Sequence, residues 1–161
     1  MNFSENSRVW IYQSNRELTS AEVARMEPVL NNFATGWTAH NHQLKAKAEI
    51  RYNRFIVLVV DESQAGASGC SIDKSVNLMK ALEQEFNINL FDRFNIAYRT
   101  ETGIASVGRH EFEELIKQGD VTADTIVFNN LVATIKDLDN KWEVPFKSSW
   151  HQQVFGNLVT A

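Results

Sequence analysis

Residues 45–60 read KAKAEIRYNRFIVLVV, and the fold turns on this stretch. From Lys45 to Tyr52 the chain alternates strictly, with Ala46, Ala48, Ile50 and Tyr52 on one side and Lys45, Lys47, Glu49 and Arg51 on the other. Such alternation marks a strand with one wet face. Asn53 suits a turn, and Arg54 leads into Phe55–Val60, an unbroken apolar run suited to a strand buried on both faces. The two strands read as a tight hairpin.

Working outward, Arg8–Gln13 (RVWIYQ) is rich in β-branched and aromatic residues and reads as a first strand. Thr19 stands three residues before Glu22, a capping-box spacing, and Val23, Met26, Leu30, Phe33 and Trp37 follow on one helical face. Gly36 is a stop signal, and Pro28 inside the pattern predicts a kink or a broken helix. After a loop from Glu62 to Gly69, Ser71 is placed to cap a second helix that carries Ile72, Val76, Met79, Leu82 and Phe86 inward. Phe94, Ile96 and Tyr98 alternate as a fourth strand. The order β-α-β-β-α-β is that of the ferredoxin-like split βαβ unit, so an α+β core over residues 7–99 is expected. Strands one and three are expected to lie parallel and side by side at its centre. A C-terminal α/β extension over 100–161 follows. It has a turn at Glu101–Gly103, a short strand at Ile104–Val107, a helix over Phe112, Leu115 and Ile116 that stops at Gly119, and strand-like Ile126–Phe128. The whole is expected to form one domain, with Trp142, Pro145 and Trp150 irregularly spaced in its tail.

The composition, 43% hydrophobic and 22% charged over 161 residues, is that of a globular chain with a real core. A formal net charge of -4 provides no positive field for a polyanion, which excludes general nucleic-acid binding. Cys70 is the only thiol, so no internal disulfide forms. The longest strongly apolar run ends at Asp61, far short of the roughly 20 residues of a membrane span. With no leader-like stretch near Met1, the expectation is a cytoplasmic protein without membrane contact. The open face and edges of a small sheet leave room for a homodimer.

If strands one and three are parallel, their C-terminal ends gather Gln13, Asn15, Asp61 and Ser63, and the start of strand two adds Trp37, His40 and His42. The second helix starts at the same edge, fed by Ala67-Ser68-Gly69-Cys70-Ser71, whose small residues and backbone donors suit an anion. The ligand-binding candidates are therefore Ser68, Gly69, Cys70, Ser71, Asp73, Lys74, Asp61 and Trp37. A phosphate loop of the form GxxxxGK[ST] is not among the readings, because Ser68 and Asp73 stand where its two glycines belong. Cys70 at a helix start is a candidate nucleophile, with His40 or His42 as its base. The His40-x-His42 pair with Asp61 or Glu62 lacks a diagnostic metal spacing, so no metal and no cofactor are expected. Lys45, Lys47, Arg51 and Arg54 form a basic stripe interrupted by Glu49, without an aromatic ladder.

Several strings resemble a family of small uncharacterised bacterial proteins often labelled ABC transporter ATPase: VWIYQ (9–13), WTAH (37–40), YNRF (52–55), GCSID (69–73), VFNNLV (127–132), WEVP (142–145) and SWH (149–151). The resemblance spans nearly the whole chain and draws attention to the Gly69–Asp73 loop. The label itself does not fit, because no Walker A or LSGGQ-like sequence is present. Residues Phe94–Phe146 are similar to GYF-type adaptor domains, which implies a peptide-binding aromatic surface built from Tyr98, Phe128 and Trp142.

The leading expectation is a binding protein rather than an enzyme, taking a small anionic ligand or a protein partner at the loop before the second helix. The alternatives are a thiol-dependent enzyme using Cys70 and a peptide-binding adaptor using the C-terminal aromatics.

Overall fold

The computed structural model describes residues 2–159, which hold five helices and three small antiparallel sheets in a mixed α/β arrangement. The chain divides into two compact units: one takes the chain up to Phe91 with Ala133–Leu138, the other Asp92–Val132 with the chain from Asp139 onward. Among the described residues no helix is long and apolar enough to cross a membrane.

In the first unit, β1 (Arg8–Gln13) leads into α1 (Ser20–Gly36). The Thr19 hydroxyl accepts from the Glu22 amide at 3.1 Å, and the Glu22 carboxylate accepts from the Thr19 amide at 2.9 Å. Arg16 grips the same carboxylate at 2.8 and 2.7 Å and donates to the Phe86 carbonyl at 2.7 Å. The Arg16 guanidinium is the main reason that the Glu22 carboxyl is lowered to about 2. Of the kink or break expected at Pro28, the break does not occur. One helix runs through it, with Pro28 on the exposed side and Met26 and Leu30 buried on the other. Packing of that inner face holds the helix across the missing donor.

A short hairpin, β2 (Thr38–Ala39) and β3 (His42–Gln43), precedes β4 (Lys45–Arg51) and β5 (Phe55–Asp61). Every residue of β5 is buried, as its apolar run implies. Strand order is β1-β5-β4, with β5 antiparallel to both neighbours. This corrects the expected parallel pairing of strands one and three. The crossover through α1 returns the chain so that β4 runs parallel to β1, and the hairpin then reverses it, so a strand inserted between them opposes both. In the register, Gln13 lies opposite Phe55 and Arg8 opposite Val60. Helix α2 (Gly69–Phe86) closes the unit, ending at Asn87 in the left-handed region. Met26, Leu30, Trp37, Leu58, Met79, Leu82 and Phe86 form its core.

The outer edge of β1 is met late in the chain. Thr134 bridges Arg8, the Val9 amide donates to the Ala133 carbonyl, and the Ile135 amide donates to the Ser7 carbonyl, both at 3.0 Å. The expected fourth strand is elsewhere: β6 (Ile96–Thr100) pairs with β7 (Gly103–Val107) through a two-residue turn in the second unit. A pairing that closes a two-residue loop forms at far smaller entropic cost than one that closes a long chain segment. The ferredoxin-like sheet is thus not completed by this strand.

The second unit continues with α3 (Arg109–Lys117), β8 (Ile126–Phe128), α4 (Ile135–Lys141), β9 (Glu143–Pro145) and α5 (Trp150–Phe155). The first turn of α4 is counted with the first unit. The sheet order is β7-β6-β8-β9. Gly119 ends α3 at φ 84°, a conformation open to glycine, and the Asp120 amide turns back to the Leu115 carbonyl. Ile96, Phe112, Ile116, Val127, Phe146 and Phe155 make the core.

The antiparallel register predicts a cross-link. The Ser14 amide donates to the Arg54 carbonyl, a phase that makes Val9 and Val59 a non-hydrogen-bonded pair with Cα atoms about 4.5 Å apart. In a Cys70→Ser background, Val9→Cys with Val59→Cys should oxidise spontaneously and stabilise by up to about 4 kcal/mol. Val9→Cys with Phe55→Cys should stay reduced, as thiol titration would show.

Candidate functional site

Ser68, not Ser71, caps α2. The Ser68 hydroxyl accepts from the Ser71 amide at 3.1 Å, while the Ser71 hydroxyl accepts from the Ser68 amide at 2.6 Å, so two serines replace the usual Ser and Glu of a capping box. Ser71 also donates to the Ser68 carbonyl at 2.8 Å. Beneath it, the buried Trp37 indole donates to the Ser71 carbonyl at 2.8 Å and packs on Phe33 and Trp10. The Ala67 amide is answered by the Glu62 carboxylate at 2.9 Å. Three amides expected to cradle an anion, those of Ala67, Ser68 and Ser71, therefore already have partners within the chain. What the helix start presents to solvent is Gly69, Cys70, Asp73 and Lys74, all exposed.

Asp61 is buried at the end of β5 and is also engaged. Its carboxylate accepts from the Ser63 hydroxyl at 2.5 Å, from the Ser63 amide at 3.1 Å and from the Ser4 amide at 3.1 Å, and Lys45 stands 3.4 Å away. The Ser63 bond, then the Ser4 amide, hold the Asp61 carboxyl well below the usual carboxylate range. Lys45 also donates to the Asn2 carbonyl, and both Lys45 and Lys47 lie over the Phe3 ring. Asp61 thus anchors residues 2–4 against the sheet end. Part of the basic stripe is covered in the same way.

The antiparallel sheet divides the expected cluster. Gln13 stands level with Phe55, six steps along β5 from Asp61, or roughly 20 Å at strand spacing. Asn15 lies beyond Gln13 and is bonded to Asn89 through both backbone and side chain. His40 and Asn41 form the β2–β3 turn at φ 50° and 65°, and His40 and His42 are both exposed. Among the described residues no hydrogen bond joins either histidine to Cys70 and no three potential metal ligands gather.

Of the three C-terminal aromatics singled out, Phe128 and Trp142 are buried and Tyr98 is half-buried. Phe128 and Trp142 are each 2% exposed and meet edge to face at 5.1 Å, and the Trp142 indole donates to Asn130 at 2.9 Å. Tyr98 is partly buried and packs against Phe112. A pair that spacing did not single out is Ser149 and His151. Both are buried, with the Ser149 hydroxyl 2.8 Å from His151 Nδ1 and the imidazole stacked on Trp150 at 3.8 Å. Burial lowers the imidazole to about 4. The string Ser149-Trp-His151 was visible, but two residues so close in sequence carry no signal of burial.

No protein-family model, curated protein or solved structure matches the chain.

Trp37→Phe keeps a ring but leaves the Ser71 carbonyl without its indole donor, so a loss of about 1–3 kcal/mol is expected in urea unfolding. Trp142→Ala should cost about 3–5 kcal/mol in the same assay, as removal of a buried core ring does. An unchanged midpoint for Trp142→Ala would return that ring to the surface.

Proposed function

We propose that the chain is a cytoplasmic binding protein, not an ABC-type ATPase, that receives an anionic group of a small ligand or a protein partner at the start of α2. The observation that carries this reading is the fixed base under an exposed rim. Trp37, Ser68 and Ser71 lock the first turn from below, while Gly69, Cys70, Asp73 and Lys74 stand outside it. With the Ser68 and Ser71 amides consumed by capping, Lys74 is the charged contact for the anion and the fixed turn sets its position. Asp61 and Trp37 support the site rather than touch the ligand. The resemblance to small bacterial proteins favours this use of the Gly69–Asp73 loop. The β1-β5-β4 order, with Thr134 beside β1, supports reading the first unit as a ferredoxin-like sheet whose fourth place is taken by another segment.

A second reading is favoured by one observation, the exposure of the Cys70 thiol at the second position of α2. In that reading Cys70 is a reactive thiol, and its alkylation rate against pH in the native protein separates the two. A thiolate forming well below the ordinary pH supports thiol chemistry. An ordinary profile leaves binding alone.

Amide NMR shifts on titration with inorganic phosphate test the binding reading. Shifts are expected at Gly69, Cys70 and Lys74, with affinity falling roughly tenfold in Lys74→Ala, the effect of one lost charged contact. Shifts elsewhere only, or equal affinity in Lys74→Ala, would remove this loop from the account.

A further inference from the structure

We propose that the Ser149–His151 pair is an acid-sensitive latch that holds the C-terminal segment, α5 and the turn after it to Leu158, onto the core of the second unit. The His151 ring lies among Phe112 of α3, Phe146 of the turn before α5, and Trp150 of its own helix, with Ser149 on Nδ1. Behind it, Phe155 packs edge to face on Phe112 at 5.1 Å, and Leu158 and Val159 close over the same core. Trp150 and Ser149 flank His151 directly in the chain, so the ring is the point where the segment enters its packed position.

Among the described residues, the ring and hydrogen-bond partners of the imidazole are Phe112, Phe146, Trp150 and Ser149, none of them charged. The charged groups of the packed elements are engaged elsewhere: Arg109 with Glu113 and over Phe155, Lys117 with Glu114, and Lys147 with Asp124. Glu111 and Asp120 are near enough to Tyr98 to add to the effect of burial on its hydroxyl, and His110 and Glu111 at the start of α3 are exposed. Burial is the one cause of the lowered ring and, among the described residues, no carboxylate offsets it, so protonation leaves a buried charge whose relief is to bring the ring into water.

The docked ring is held to about 4, whereas a released ring ionises near 6.5. The folded value is the lower one, so the latch is complete above about pH 6.5, weakens as the pH falls and is lost below about 4. Over that window the opening equilibrium of the segment rises by roughly 300-fold.

The test is NMR of the full chain between about pH 7 and pH 3, following the His151 ring and the amides of residues 150–158 and 109–117. The expected result is loss of amide protection over 150–158 with the midpoint of His151 ring protonation, while 109–117 stay protected. His151→Phe, which cannot protonate, should keep the segment docked at low pH, and His151→Gln serves if the phenyl ring does not fit. The proposal is overturned if the segment stays docked in the wild type throughout, or if 109–117 lose protection together with it. It is equally overturned if ring and segment show different midpoints, or if a neutral variant releases the segment over the same range.

Discussion

The insertion of β5 between β1 and β4 is the constraint on which the rest of the first unit depends. A strand with neighbours on both edges and cover on both faces must be apolar throughout, and Phe55–Val60 is the one stretch of the chain that meets this demand. Its position fixes the directions of β1 and β4, and these decide which residues reach which end of the sheet. Asp61, at the strand's last position, then takes up the Ser4 amide and Lys45, while Arg16 at the other end of β1 ties α1 to the last turn of α2.

The helix start that carries the candidate site is stiff because its polar groups face one another. Ser68 and Ser71 exchange four hydrogen bonds within four residues, and Trp37 fastens the turn to the core. Such reciprocity favours a scaffold that presents side chains over a cradle that waits for an ion with open amides. What the turn leaves exposed is Gly69, Cys70, Asp73 and Lys74.

Local patterning made most elements legible. The alternation at Lys45–Arg51, the apolar run of β5, the Thr19–Glu22 cap, the Glu101–Gly103 turn and the helix ending at Gly119 all follow from side-chain period or turn chemistry. Strand direction was less accessible, since a parallel and an antiparallel neighbour of Phe55–Val60 demand the same apolar residues. Nor does a strand's own pattern name its sheet: Ile96–Thr100 alternates equally well for either unit, and the pairing partner settles the matter. At the site, spacing located the loop and its serines but assigned the cap to Ser71, because both residues are competent caps and only backbone geometry separates them. Burial of Trp142, Phe128 and His151 depends on contacts far apart in the chain and leaves little trace in composition.

The meeting of β1 with Ala133–Ile135 has a bearing on how the protein is made. Synthesis delivers β1, both long helices and the central hairpin before the segment around Thr134, so the outer edge of β1 lacks that partner until the segment has been translated. Between those moments the nascent first unit carries unpaired backbone groups at Ser7 and Val9, of the kind that chaperones cover and that neighbouring polypeptides on a polysome can capture. Ribosomal pauses before residue 135 would therefore prolong the interval in which this edge is open.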